Sequence, residues 1–409
     1  MLPLMMLSAC GQREEKVPGI SLADMDLTTA PGVDFYQYAN GGWIASHPLK
    51  PEYARFGSFD VLREQNVERL NELFSQMSEL TPEAGTVDQK IVDLYKQGLD
   101  SLRLNEEGAA PVKKYLDGIY QVDSKQAFVK KLAELNLIGE GGFFGVGVDA
   151  DLMDSKMQVL YLGQGGLGMG DRDYYTDPKN AELRKGYEAM LVKLFALAGY
   201  EDAAQKAARA AAVEDVLASH SWTNVQNRDY TKQYNPMSTA QIASKWKNFD
   251  YNLFFEALGI PAQDKVIVQQ LSYFDGFDAF FAKADLESLK DYTAALMLSG
   301  ASSYLSDEFY DASFEFFSTQ MSGVTEQKAR WKRAMSVPNS ILGEAVGQMY
   351  VAKYFPQEYK DRAVYNIETS KLKKNGVVVE EKAEDACECD SDNGIYLFKT
   401  ATCPNCKIA

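Results

Sequence analysis

Ala54-Arg55-Phe56-Gly57-Ser58-Phe59-Asp60-Val61-Leu62-Arg63 marks the passage from a proline-bearing segment into a long helical run. Pro48 and Pro51 precede it, and proline fixes φ and disfavours the α region of the residue before it. Gly57-Ser58 then offers a turn and an N-cap, and Asp60 puts a carboxylate in a first helical turn, where the helix dipole favours it. From Phe59 the apolar positions run Phe59, Leu62, Val67, Leu70, Leu73, Phe74 and Met77, the spacing of one buried helical face. Arg55 stands just before this helix and Arg63 about one turn into it. Guanidinium forks bind carboxylates bidentately, so the pair can converge on one. Two solvated charges, or pairs with the neighbouring Asp60 and Glu64, are the simpler alternative, and the spacing alone favours it.

Working outward, Asp34 to Trp43 reads as a short capped helix ended by Gly41-Gly42, with Phe35, Tyr36 and Tyr38 as packing aromatics. Helical runs follow at about Val87–Leu102, Ala110–Tyr120 and Lys125–Leu137, the last with Phe128, Leu132 and Leu135 on one face. The period then changes to two over Gly141–Asp149 and Met157–Leu162, around an Asp-rich turn, which predicts a β-hairpin. Gly163-Gln-Gly165-Gly-Leu-Gly168 spells a dinucleotide fingerprint, but the turn-forming Met169 to Pro178 follows where a phosphate-binding helix would have to open. A nucleotide site is therefore rejected. Helices resume at about Asn180–Ala198, Asp202–Ser219, Thr239–Trp246 and Tyr251–Leu258, and Val266-Ile-Val268 is strand-like. The remaining runs are Phe277–Lys283, Leu286–Leu298, Asp307–Met321, Glu326–Ser336 and Ser340–Phe355. The fold class is mainly α: a multi-helix lobe over 34–360 with one small hairpin at about 141–162, followed by a short non-helical tail over 361–409.

The chain has 409 residues, 46% hydrophobic and 12% aromatic, which is enough for a large core. A net charge of −16 argues against nucleic acid as a partner. Cysteines occur only at Cys10, Cys387, Cys389, Cys403 and Cys406, so the helical lobe has no disulfide framework.

The first residues end in Leu7-Ser8-Ala9-Cys10, which resembles the lipobox of bacterial lipoproteins. No Lys or Arg precedes it, and the apolar run is far shorter than a membrane span. The reading is a lipoprotein signal over 1–10 missing its first residues, with Cys10 lipidated and a tether over 11–33. That implies a bacterial envelope location, on the periplasmic or outer-membrane face, with membrane attachment through the lipid only. In the tail, the strand-like Ile395–Phe398 runs into Cys403-Pro-Asn-Cys406. Three readings stand: a disordered tail, which ranks first; the truncated start of a thioredoxin- or glutaredoxin-like redox segment at Cys403 and Cys406; and a zinc knuckle from Cys387, Cys389, Cys403 and Cys406.

Catalytic motifs are missing. A catalytic zinc site normally takes three protein ligands, yet the sequence holds only His47 and His220 and no H-E-x-x-H run. There is no G-x-S-x-G, and Ser244-x-x-Lys247 lacks the companion motifs that would give it weight. No catalytic residue and no metal ligand is assigned to the lobe.

Five ordered stretches nevertheless resemble the N-terminal region of the neprilysin and endothelin-converting-enzyme family of zinc endopeptidases. They are Asp34–Trp43, Gly168–Tyr175, Asn227-Arg-Asp with Tyr234–Met237, Arg330-Trp331 and Val346–Val351, and together they span Asp34 to Phe355. Tyr230 stands where the family usually has proline. The resemblance implies a helical lobe that caps a separate catalytic lobe and admits only short peptides. Carried over, Phe59 lines the pocket for the residue just past the cleaved bond, and Arg55 and Arg63 hold the far end or C-terminal carboxylate of the peptide. Zinc belongs to the complete family enzyme; its ligands lie in the later lobe, which this sequence does not contain. The expectation is a substrate-binding lobe that does not cut peptides alone, whose partners are short peptides and the missing catalytic lobe. The alternatives are a non-enzymatic peptide-binding surface lipoprotein, and a redox or zinc-binding role for the C-terminal cysteines. A lobe built to face a partner should also expose apolar surface.

Overall fold

A computed structural model of the chain describes residues 20–361. Cys10 and the four C-terminal cysteines lie outside them, with the signal, the first part of the tether and nearly all of the tail. The chain divides into two units, Met1–Val67 with Val324–Glu326 and Glu68–Gly323 with Gln327–Ala409.

In the first unit, α1 (Phe35–Ser46) is capped by Asp34, whose carboxylate accepts the Gln37 N–H at 2.9 Å. The expected stop at Gly41-Gly42 is corrected, because the helix runs through both glycines. A Cβ at Gly42 would collide with the Ala23 carbonyl and one at Gly41 with the Gln37 and Asp26 side chains, so these glycines permit close packing rather than ending the helix. The packing role expected for the aromatics is also corrected in part: Phe35 and Tyr36 are exposed. Helix α2 (Ser58–Glu79) begins where the sequence predicts. Its apolar stripe is not buried along its length, however. Leu73 and Phe74 are buried, while Phe59 is 80% and Leu62 55% exposed. Helical periodicity puts residues on one stripe, but burial needs a facing surface, and the described residues supply one only toward the C-terminal end of α2.

The second unit holds the core. Helices α3 (Val87–Leu99) and α4 (Ser101–Glu107) replace the single run expected to Leu102. The break follows from Asp100, whose carboxylate accepts the Arg103 N–H at 3.1 Å and so caps a new helix. Next come α5 (Ala110–Tyr120) and α6 (Lys125–Leu137), with Phe128, Leu132 and Leu135 buried as their spacing predicts.

The hairpin β1 (Phe144–Asp151) and β2 (Asp154–Gln164) pairs Phe144 with Gln164 and Val146 with Leu162. It is half of a four-stranded sheet, which the strand-like Val266–Val268 joins. β4 (Val266–Val268) runs parallel to β2, Leu160 facing Val266, and β3 (Pro236–Met237) runs antiparallel to β4, in the order β1-β2-β4-β3. All three β4 residues are fully buried, as the continuous apolar run of a central strand requires.

The rest of the unit is helical: α7 (Asp173–Thr176), α8 (Ala181–Leu197), α9 (Ala203–His220), α10 (Thr239–Lys245), α11 (Tyr251–Ala257), α12 (Leu271–Lys283), α13 (Leu286–Ala301), α14 (Asp307–Ser313), α15 (Arg330–Ile341) and α16 (Gly343–Tyr354). The helix expected over Asp307–Met321 changes at Phe314 into a π-helical turn through Gln320. Phe143 and Phe144 sit in an aromatic core with Phe249, Phe254, Phe274, Phe277 and Tyr292. α9 packs on α13 and on α8, and α3 on α15, where a Cβ at Gly98 would lie 2.9 Å from the Ala334 Cα.

The rejected nucleotide fingerprint has a structural explanation. Gly166 has φ +80°, and its carbonyl accepts from the Tyr292 hydroxyl at 2.8 Å. The Tyr273 hydroxyl bonds the Gly165 carbonyl at 3.0 Å, and a Cβ at Gly168 would fall on the Tyr187 hydroxyl. Gly165 and Gly166 thus meet buried tyrosines through their carbonyls, and Gly168 leaves room for a third.

In the same core the Tyr251 hydroxyl is buried with no hydrogen-bond partner among the described residues, and burial pushes its pKa well up. Tyr251→Phe should therefore be neutral or stabilising by up to about 1 kcal/mol, since it removes an unmet donor. Denaturant midpoints of the two proteins check this; a loss above about 1 kcal/mol would reveal a buried water partner.

Candidate functional site

The segment before α2 is pinned by aromatic packing. The His47 ring stacks on Trp43 at 4.3 Å and 7°, Trp43 lies 6.3 Å from Phe56, and Tyr53 meets Phe56 edge-on at 5.3 Å. Lys50 adds its ammonium 5.4 Å from the Phe56 ring and an ion pair to Glu64 at 2.6 Å. Tyr53 also engages Glu64, and burial, followed by the charges of Glu64 and Glu52, pushes its pKa up to about 12. The hydroxyl therefore stays a donor at neutral pH.

The three expected site residues sit on this frame. Arg55 is exposed and has no hydrogen-bond or ion-pair partner among the described residues. Phe59 presents an almost bare ring. Arg63 lies one turn further along, on the same helix face at i, i+4. Its Nη1 donates to Asp60 Oδ1 at 2.9 Å, and its side chain is 60% exposed. Glu64, the other acid weighed as an arginine partner, is taken by Lys50. An unpartnered guanidinium, an exposed aromatic ring and a half-engaged second guanidinium can bind an apolar side chain beside a carboxylate. They carry no nucleophile and no general base.

Local pattern gives no structural role to Trp43, Tyr53 or Phe56; for Asp60 it gives dipole compensation and a pair with a neighbouring arginine, and the pair with Arg63 is present. Asp60 was legible in part, as an acid three residues after Gly57. The Lys50–Glu64 tie and the aromatic ladder join residues too far apart for any local pattern to show.

The described residues do not suit a zinc ion. Among them no three His, Cys, Asp or Glu side chains come together as a ligand set. His47 spends Nδ1 on the Trp43 carbonyl and Ser46 Oγ, both at 3.0 Å, and His220 is exposed at the end of α9. No described helix is long and apolar enough to cross a membrane.

Comparison with known proteins supplies what the geometry alone does not. A sequence profile described as peptidase family M13 matches residues 31–370. The chain belongs to that family. Endothelin-converting enzyme 1 of Homo sapiens is 27% identical over 359 residues, covering 84% of this M13 chain and 46% of the human protein. Neutral endopeptidase of Lactobacillus helveticus is 26% identical over 344 residues, 83% of this chain and 53% of that protein. The crystal structure of Mycobacterium tuberculosis zinc metalloprotease ZMP1 in complex with inhibitor has a TM-score of 0.80 at 29% identity, covering 87% of this chain and 55% of that one. PEPO from Lactobacillus rhamnosis shares the fold, with a TM-score of 0.71 at 19% identity, over 84% of this chain and 54% of that one. The chain spans about half the length of the curated relatives it matches. The described lobe is the N-terminal region of a neprilysin-like M13 peptidase.

Proposed function

We propose that this chain is the substrate-binding, capping lobe of a neprilysin-like zinc metalloendopeptidase acting on short peptides, and that the 409 residues by themselves do not hydrolyse peptide bonds. The observation that carries the reading is the start of α2. Phe59 is 80% exposed there, between Arg55, which has no partner among the described residues, and a half-engaged Arg63, inside the region that matches the family. Phe59 takes the side chain just past the cleaved bond, and the two arginines take the peptide's carboxyl end. Val33 and Phe35, 86% and 68% exposed, add the apolar surface expected of a lobe that faces a partner. Two histidines and no H-E-x-x-H run leave the cutting to residues outside this sequence.

The test pairs binding with turnover. Dansyl-Gly-Phe-Ala should bind the pure chain, and Arg55→Ala with Arg63→Ala should weaken it by on the order of tenfold or more, the value of charge-assisted contacts to a carboxylate. Circular dichroism should show the fold unchanged. With added Zn²⁺ the peptide should stay intact, and cleavage that a chelator abolishes would sink the proposal.

A further inference from the structure

The geometry points to Asp60 as the positioning residue for Arg63, an inference that rests on the peptide-binding reading above. Asp60 is only 8% exposed. Its Oδ2 accepts the Gly57 N–H at 3.0 Å and its Oδ1 accepts Arg63 Nη1 at 2.9 Å. The Gly57 carbonyl accepts the N–H groups of Asp60 and Val61 at 2.9 and 3.1 Å, so backbone and side chain close the first turn of α2 from both directions.

The carboxylate is thus a buried, backbone-anchored point. An exposed arginine tied to such a point surrenders rotamer freedom before any ligand arrives, which lowers the entropy lost on binding. The remaining N–H donors of Arg63 have no partner among the described residues and stay available to a peptide carboxylate. Arg55 has no comparable tether. A cap needs only an acceptor for the Gly57 N–H, which asparagine would also provide. The second oxygen, spent on Arg63, is what capping leaves unexplained. Asp60 also repels an incoming carboxylate, so positioning and repulsion act with opposite sign, and experiment can tell which dominates.

The full chain and its Asp60→Asn, Arg63→Ala and doubly substituted forms would be titrated with dansyl-Gly-Phe-Ala and with its C-terminal amide. Asp60→Asn should reduce the preference for the free acid several-fold, leave amide affinity and the unfolding midpoint in place, and add nothing once Arg63 is alanine. Selective ¹⁵N labelling of arginine gives a readout that needs no peptide: the Arg63 guanidinium signals should show restricted rotation that Asp60→Asn releases. An unchanged or increased acid preference in Asp60→Asn, or losses that add in the double variant, would overturn the positioning role. Free rotation of Arg63 in the unsubstituted chain would overturn it as well. If the unsubstituted chain shows no acid preference while Arg63 is held and then released by Asp60→Asn, the peptide-binding reading fails and the positioning of Arg63 stands.

Discussion

Asp291→Ala should destabilise the second unit by about 3–5 kcal/mol, the cost of leaving buried charge without its counterpart. Asp291 of α13 is fully buried. It accepts from the Tyr120 hydroxyl of α5 at 2.7 Å, and from Lys206 and Arg209 of α9 at 3.2 and 2.5 Å. The Lys206 side chain is 9% exposed, and its ammonium lies 4.2 Å from the Tyr120 ring. Without Asp291 the ion-pair partner left to both cations among the described residues is Asp202, at 3.6 and 3.9 Å and half-exposed. Asp291→Asn should lose less, because an acceptor remains. Denaturant unfolding followed at 222 nm measures both. Asp117→Ala is the control: its pair with Lys113 lies on the surface, with side chains 46% and 67% exposed, and its removal should leave the midpoint in place.

Glu214→Ala should cost about 3 kcal/mol, because it strands three donors at once. The fully buried carboxylate accepts the Gly168 N–H at 3.0 Å, the Tyr187 hydroxyl at 2.7 Å and the Tyr175 hydroxyl. It thereby ties α9 to α7, α8 and the glycine-rich turn. Burial raises its pKa above the ordinary glutamate value, against the lowering effect of those hydrogen bonds. Between the unfolded and folded pKa values the folded chain binds more protons, so stability falls as pH rises. This contribution is fully present below the unfolded value and is lost as pH passes the folded one. Glu214→Gln should flatten that part of the stability profile, measured as denaturant midpoints from pH 4 upward, and should cost less than alanine.

Both clusters join residues far apart in the chain. Helices α5 and α6 were legible to the residue, because their apolar spacing and their ends are local signals. The same local logic failed where a residue's role depends on a distant neighbour. Gly41-Gly42 reads as a helix stop until Ala23 is seen against it. Phe59 and Leu62 read as core until no surface covers them. The run Val266–Val268 reads as strand-like, but its parallel pairing with β2, about a hundred residues earlier in the chain, is not written in it.

By itself the sequence determined the mainly helical class, the hairpin, and the placing of Arg55, Phe59 and Arg63 at the start of one helix. Each of these follows from residue type, period and turn chemistry within a few positions. Only the tertiary structure decided that Phe59 is bare, that Arg63 is held by Asp60 while Arg55 is not, that Glu64 belongs to Lys50, and that Asp291 and Glu214 are buried anchors. Burial and pairing are properties of surfaces brought together by the fold, and the local pattern of the chain does not encode which surfaces meet.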